Sequence, residues 1–428
     1  MIETVAGVAP SAINRPAVRW SPMKRVLFRV CFQYFGLYVV TTQMLNGMIA
    51  IPNWGFPSLE TLPPFRNVIQ WTALHVFRVT QPLVISGSGS GDKTANWVAA
   101  FCLLVIAAVG TLVWSALDRE RAAYASMDRW FRLFLRFALA TTMLSYGMVK
   151  LFPLQMPYPQ LTRLLEPFGN FSPMGVLWYS VGASPGYERF AGAMELTAAV
   201  LLFIPQLSLL GAIIAFADAI QIFTLNMTYD VPVKLFSFHL ILMSLFLLAP
   251  DIPRVARALM ARVPGGKVLV AAQIVLAAYF VGLELYQANR SWHTFGQAAP
   301  KPPLYGIWNV DRQFVDGAER SPLLTDFGRW RRIVIQNASF VNFQRMDDTF
   351  VNYPAKFDAG ANTIALTKAS DKSWKATFAI QHPDTDRLTL IGTMDGQRVE
   401  MRTTRFDRGN FLLVSRGFNW IQEFPFNR

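Results

Sequence analysis

Two kinds of hydrophobic pattern divide this chain. Up to Tyr286 the apolar residues come in runs of about twenty, the length that carries a helix across a bilayer; beyond residue 304 they alternate over short segments. The runs cover residues 26–50, 94–117, 130–150, 187–204, 208–228, 232–250 and 268–286, which predicts a polytopic bundle of about seven transmembrane helices. A shorter stretch, 68–85, carries His75 and Arg78 and reads as an amphipathic helix lying on or dipping into the membrane. The runs at 187–204 and 208–228 are separated only by a turn at Pro205, which predicts a helical hairpin. After the linker 288–303, the segments RRIVIQ, NTIALT, SWKATFAI, RLTLIGTM and QRVEMRTT show the two-residue period of strands. Asp395-Gly396 between two of them reads as a hairpin turn. About eight strands in a meander suit a small up-and-down β-barrel, so 304–428 is a soluble all-β domain.

Basic residues set the expected orientation. Arg15, Arg19, Lys24, Arg25 and Arg29 cluster at the first run; Arg119, Arg121, Arg129, Arg132 and Arg136 lie in the loop after the second run or within reach of its membrane ends; Arg254, Arg257, Arg262 and Lys267 precede the last run. Each cluster falls where a cytoplasmic loop belongs, with residues 1–25 as a cytoplasmic tail and an odd number of spans carrying 304–428 to the other side. The expected address is a bacterial inner membrane, with the C-terminal domain in the periplasm. The chain then divides into the tail, the helices and long outer loop of 26–129, a helical core at 130–251, a cytoplasmic loop and last helix at 252–287, the linker and the β domain. Residues 1–22 hold Pro10, Pro16 and Pro22 without an apolar run, so the first helix reads as an uncleaved anchor.

Composition agrees with a membrane protein: 53% of the 428 residues are hydrophobic, 16% are charged and the mean hydropathy is +0.29. The net charge of +13 sits beside the apolar runs and points to membrane loops rather than to nucleic acid. Cys31 and Cys102 both lie in apolar runs outside any CxxC pair, which argues against a disulfide or dithiol centre.

Candidate chemistry comes from ionisable groups inside the runs. Counting ~1.5 Å per residue from the outer ends, Glu195 is about 12 Å deep, Asp218 about 15 Å and His239 about 10 Å, so the three are expected to share one level. Each is costly to leave unpaired in hydrocarbon. Asp218 and Gln221 share a helix face, as do Glu188, Gly192 and Glu195, with Gly192 permitting close helix approach. Lys234, Gln43, Asn46, Tyr146, Lys150 and Glu284 also gather toward the outer side. One reading is a polar pocket that exchanges protons with a quinone or binds a polar ligand; the other is an interhelical hydrogen-bond network that only packs. His239 by itself reads more readily as a hydrogen-bonded core histidine. His75, His239, His293 and His382 lack metal-ligand spacing, so no protein-ligated metal, haem or cluster is expected. SGSGSGDKT, residues 86–94, nearly matches a phosphate loop, but Asp92 stands where its last glycine belongs, and the stretch reads as a flexible loop.

LLEPFGNFSPMGVLW, GAMELTAAVLLF and NMTYDVPVKLFSFHLILMSLFLLAPD resemble the DoxX-like family of bacterial membrane proteins over residues 132–251. The resemblance implies a quinone-linked or redox-associated component. YGIWNV resembles the Gly-x-Trp signature that opens lipocalin-like barrels, with Gly306 and Trp308 in the matching places and either Arg405 or Arg416 as the arginine set against the tryptophan. The competing reading is a non-catalytic protein that binds lipid or a small ligand in the barrel, or assembles a membrane complex. For the terminal FLLVSRGFNWIQEFPFNR, one reading is a last strand and a tail that closes the barrel, and the other is a tail docked on the bundle.

Overall fold

The computed structural model describes residues 19–49, 61–259, 267–294, 296–368 and 370–428. Residues 1–18 of the expected cytoplasmic tail and 50–60 of the outer loop lie outside the described residues. Two compact units emerge. One holds the described residues up to 259 together with Leu412–Arg428; the other runs from 267 to Phe411.

The first unit is helical. Helix α1 (Pro22–Thr41) starts at Ser21, whose hydroxyl accepts from the Lys24 amide at 3.2 Å, with Pro22 at the first helical position. The expected single helix over 26–50 is broken. The Thr41 hydroxyl bonds back to the Leu37 carbonyl, Thr42 is extended, and a separate helix α2 (Gln43–Met48) carries Gln43 and Asn46. The amphipathic stretch begins as helix α3 (Phe65–His75) but does not reach residue 85: Arg78 adopts a positive φ of 56°. Ile69 and Ala73 of α3 pack on Ala95, Val98 and Cys102 of α4 (Thr94–Leu117).

Helix α5 (Ala125–Leu151) leads to a long connection containing the short helices α6 (Leu161–Leu164) and α7 (Pro173–Gly182). Helices α8 (Pro185–Phe203) and α9 (Ser208–Thr228) form the hairpin that the Pro205 turn predicts. Helix α10 (Lys234–Leu248) is followed by a 73° bend into α11 (Ile252–Leu259). The main packing is α5 on α8, α9 on α8 and α10, and α1 on α4. Leu135, Ala138, Leu139, Ala198, Ala199 and Ala215 are fully enclosed at these contacts, small residues letting the backbones approach.

The second unit opens with α12 (Lys267–Thr294), 28 residues whose described side chains are all exposed. The β-barrel follows: β1 (Gly306–Val315), a two-residue β2 (Ala318–Glu319), β3 (Trp330–Ile335), β4 (Phe340–Arg345), β5 (Phe350–Asp358), β6 (Thr363–Lys368), β7 (Asp371–Asp384), β8 (Arg387–Met394) and β9 (Gln397–Phe406). Each strand after β2 pairs antiparallel with its neighbour, β3 pairs with β1, and β1 pairs with β9 from Ile307–Phe406 to Val315–Val399, closing an eight-stranded barrel. Asp395 and Gly396 both have positive φ, 51° and 80°, the geometry of a tight two-residue hairpin. Trp308, Trp330, Phe343, Tyr353 and Phe378 are among the side chains that fill the interior.

Among the described residues, three helices are long and apolar enough to cross a membrane, α4, α9 and α12, or four if the bent α10 and α11 make one span. This is fewer than the seven expected. α10 has only 15 residues, while α1, α5 and α8 carry charges: Lys24, Arg25 and Arg29; Asp128, Arg129, Arg132, Arg136 and Lys150; and Glu188, Arg189 and Glu195.

Candidate functional site

Helices α5 and α8 touch through glycine. A Cβ on Gly192 would stand 2.7 Å from the Gly147 carbonyl oxygen, and one on Gly147 would stand 2.9 Å from that of Gly192. The close approach sets Lys150 against Glu195, and the Lys150 ammonium donates to Glu195 Oε1. Both residues are buried, and Asp218 of α9 lies within electrostatic range of the pair. The cavity beside them, about 170 Å³, is also lined by Tyr146, Trp178, Glu188 and Gln221. Tyr146 in turn accepts from Gln43 Nε2 at 3.0 Å. Asn46 lines a separate hollow with Gln43 and Tyr146.

His239 takes other partners. Its Nδ1 lies 2.7 Å from the Leu235 carbonyl, which can only accept, so Nδ1 carries the proton and Nε2 accepts from the Tyr34 hydroxyl at 2.8 Å. The ring stacks on Tyr38 with centroids 3.8 Å apart. This is the hydrogen-bonded histidine the sequence suggested, at the edge of a groove of about 930 Å³. Apart from Tyr34, Thr94, Lys234 and His239, the groove is lined by apolar and aromatic side chains, with Trp97, Phe101, Phe223 and Phe238 among them. Glu195 therefore pairs with Lys150, with Asp218 within electrostatic range, while His239 belongs to a second centre. Glu284 is exposed on α12, in the other unit.

Lys234 belongs to a third cluster, whose other members the sequence had placed elsewhere or not at all. It is 1% exposed and lies 3.2 Å from Asp230 and 3.7 Å from Asp92. The Asp92 carboxylate accepts from the Lys234 and Leu235 amides at 2.8 and 2.9 Å, capping α10 from a distant loop. SGSGSGDKT is thus not a free flexible loop but an integral part of the helical unit, and its Asp92 is fully buried.

The terminal residues complete this cluster. Strand pairing ends at Phe406, FLLVS begins the short helix α13 (Leu412–Ser415), and 412–428 joins the helical unit instead of closing the barrel. Arg416 pairs with Asp230 at 3.1 Å, and Asn419 donates to the same carboxylate from its amide and its side chain. Gln422 donates to the Asp92 and Asp230 carbonyls, Glu423 accepts from Thr94, and the Arg428 carbonyl accepts from the Ser172 amide. Trp420 and Ile421 line the groove beside His239. The Asp230/Lys234 spacing within YDVPVKLFS was the signal available in sequence; Asp92 and Arg416, far away along the chain, gave none.

In the barrel, Arg405 rather than Arg416 stands opposite Trp308 in the β1–β9 register, and its Nε is 3.6 Å from where a Gly306 Cβ would be. Trp308 is 1% exposed and its indole donates to the Leu304 carbonyl at 2.9 Å.

These features define a class: a helical unit with apolar helices of membrane-spanning length, joined to a closed eight-stranded barrel. Over 132 residues the chain is 34% identical to the uncharacterized protein YwoB of Bacillus subtilis (strain 168), covering 31% of this chain and 81% of that protein. The chain belongs to the family of YwoB. No family model and no solved structure matches it.

Proposed function

We propose that this is a DoxX-like, seven-span inner-membrane protein that binds a quinone-class ligand in the groove beside His239 and exchanges a proton with it. The observation that carries the reading is the Tyr34–His239 pair at the edge of an otherwise apolar groove, whose volume lies within the range of sites for small organic ligands. A quinol hydroxyl donates to the Tyr34 oxygen, whose own proton is already directed at neutral His239 Nε2; proton release from the quinol then charges the imidazole. The filled barrel interior favours the bundle over the barrel as the place for a ligand.

The seven-span topology has its own support. Arg132, near the start of α5, donates to the Phe246 carbonyl at 2.6 Å, at the end of α10 where the basic loops gather. The tail engages Asp92 and Asp230 at the opposite end of α10. A chain that leaves α10 at one end and re-enters the unit at the other needs an odd number of crossings between, and α12 has the length and hydropathy to supply one. On this reading the charged helices α1, α5 and α8 also cross, their ionic groups facing partners within the bundle, and the barrel is a lipocalin-like periplasmic domain.

The test is to purify the full-length chain in mild detergent, extract it with solvent and quantify quinones by mass spectrometry. Wild type should retain quinone, Tyr34→Phe should retain less, and Phe238→Trp, which narrows the groove, should retain little. Equal retention by all three, or no quinone in wild type, would overturn the proposal.

A further inference from the structure

We propose that the cavity between α5, α7, α8, α9 and α10 is a binding site for a small primary ammonium compound, separate from the groove beside His239. The first argument is charge. Lys150, Glu188 and Glu195 line the cavity, so two carboxyl groups face a single ammonium there. The second is unused hydrogen-bonding capacity. Glu188 and Glu195 are each 1% exposed. Glu188 Oε1 accepts from the Met156 amide at 2.9 Å and Glu195 Oε1 from Lys150, whereas the second oxygen of each has no hydrogen-bond partner among the described residues. Buried carboxylate oxygens are ordinarily satisfied, and two orphaned acceptors on one cavity call for a ligand that brings donors and positive charge.

The remaining wall fixes the rest of the ligand. Trp178 and Tyr146 offer aromatic surface to a cation, and Met143, Val181, Ile222 and Leu240 offer apolar surface to a short alkyl chain. A volume of about 170 Å³ equals roughly five or six water-sized volumes at about 30 Å³ each, the size of a short alkylamine. No group of three or more metal-ligating side chains gathers among the described residues, so the donor set suits an ammonium better than a metal ion. A free amine and the ammonium headgroup of phosphatidylethanolamine share this chemistry.

The experiment uses the full-length chain in phosphatidylcholine nanodiscs, melted with n-butylamine hydrochloride, n-butanol or sodium chloride at one pH and ionic strength. Butylamine should raise the Tm in a saturable way while butanol and sodium chloride do not. Glu188→Gln should raise the half-saturating concentration at least tenfold. Ala191→Phe, which fills the cavity and keeps both carboxylates, should abolish the shift and decides the matter if Glu188→Gln does not fold. In nanodiscs containing phosphatidylethanolamine, a butylamine shift that shrinks assigns the site to the lipid headgroup, and an unchanged shift assigns it to a free amine. A butylamine shift no larger than that of butanol or salt, or one that survives Ala191→Phe, overturns the proposal. Quinone retention is read separately, so either proposal can fail alone.

Discussion

Lys150 and Glu195 show how a residue's meaning depends on its neighbour. Each alone would be expensive in an apolar bundle; placed together by the Gly147–Gly192 contact, they neutralise one another. Removing one partner should therefore cost more than removing both. Glu195→Leu is expected to destabilise the bundle by roughly 3–5 kcal/mol, because the buried Lys150 ammonium loses the carboxylate it donates to. The double variant Lys150→Met, Glu195→Leu should recover most of that loss. The check is a double-mutant cycle of melting or denaturant unfolding in one detergent. A double variant as unstable as the sum of the singles would show that the two side chains act independently.

At the scale of elements, the start of α10 is the informative one. A helix begins with amide groups that have no partner within it, and here the acceptor is Asp92 rather than a residue beside the helix. That single side chain ties the loop before α4 to α10 and also faces Lys234. Asp92→Ala strips the cap and leaves Lys234 with Asp230 as its remaining carboxylate, an expected loss of roughly 3 kcal/mol. Asp92→Asn keeps one acceptor and should cost less. Hydrogen exchange followed by mass spectrometry should show faster exchange in peptides covering 232–240 for the alanine variant. Unchanged protection there would mean that the cap contributes nothing to holding α10.

For the whole molecule, the decisive relation is between the tail and the loops it binds. Asp92, Ser172 and Asp230 lie in the connections before α4, before α7 and after α9, and 412–428 engages all three. Because the basic clusters belong to the opposite ends of the helices, the tail and the domain before it are expected on the outer side. A reporter fused after Gly296 should be active in its periplasmic form and silent in its cytoplasmic form. The reverse pattern would mean that the number of crossings before Gly296 is even.

Much of the architecture was legible because it rests on local pattern. Apolar runs marked helices over 94–117 and 208–228 and the hairpin around Pro205, and strand alternation with Asp395-Gly396 marked the barrel, since period and turn chemistry are properties of neighbours along the chain. The break at Thr42 and the early end of α3 were not legible, because each depends on backbone geometry that an apolar run does not record. The site divided in the same way. Depth along a helix brought forward Glu195, Asp218 and His239, yet depth carries no information about rotation. Helix packing decided that Glu195 pairs with Lys150, while His239 turns to Tyr34 and Tyr38. Asp92, Asp230, Lys234 and Arg416 form one cluster across more than three hundred residues of chain, a pairing that only tertiary structure can create.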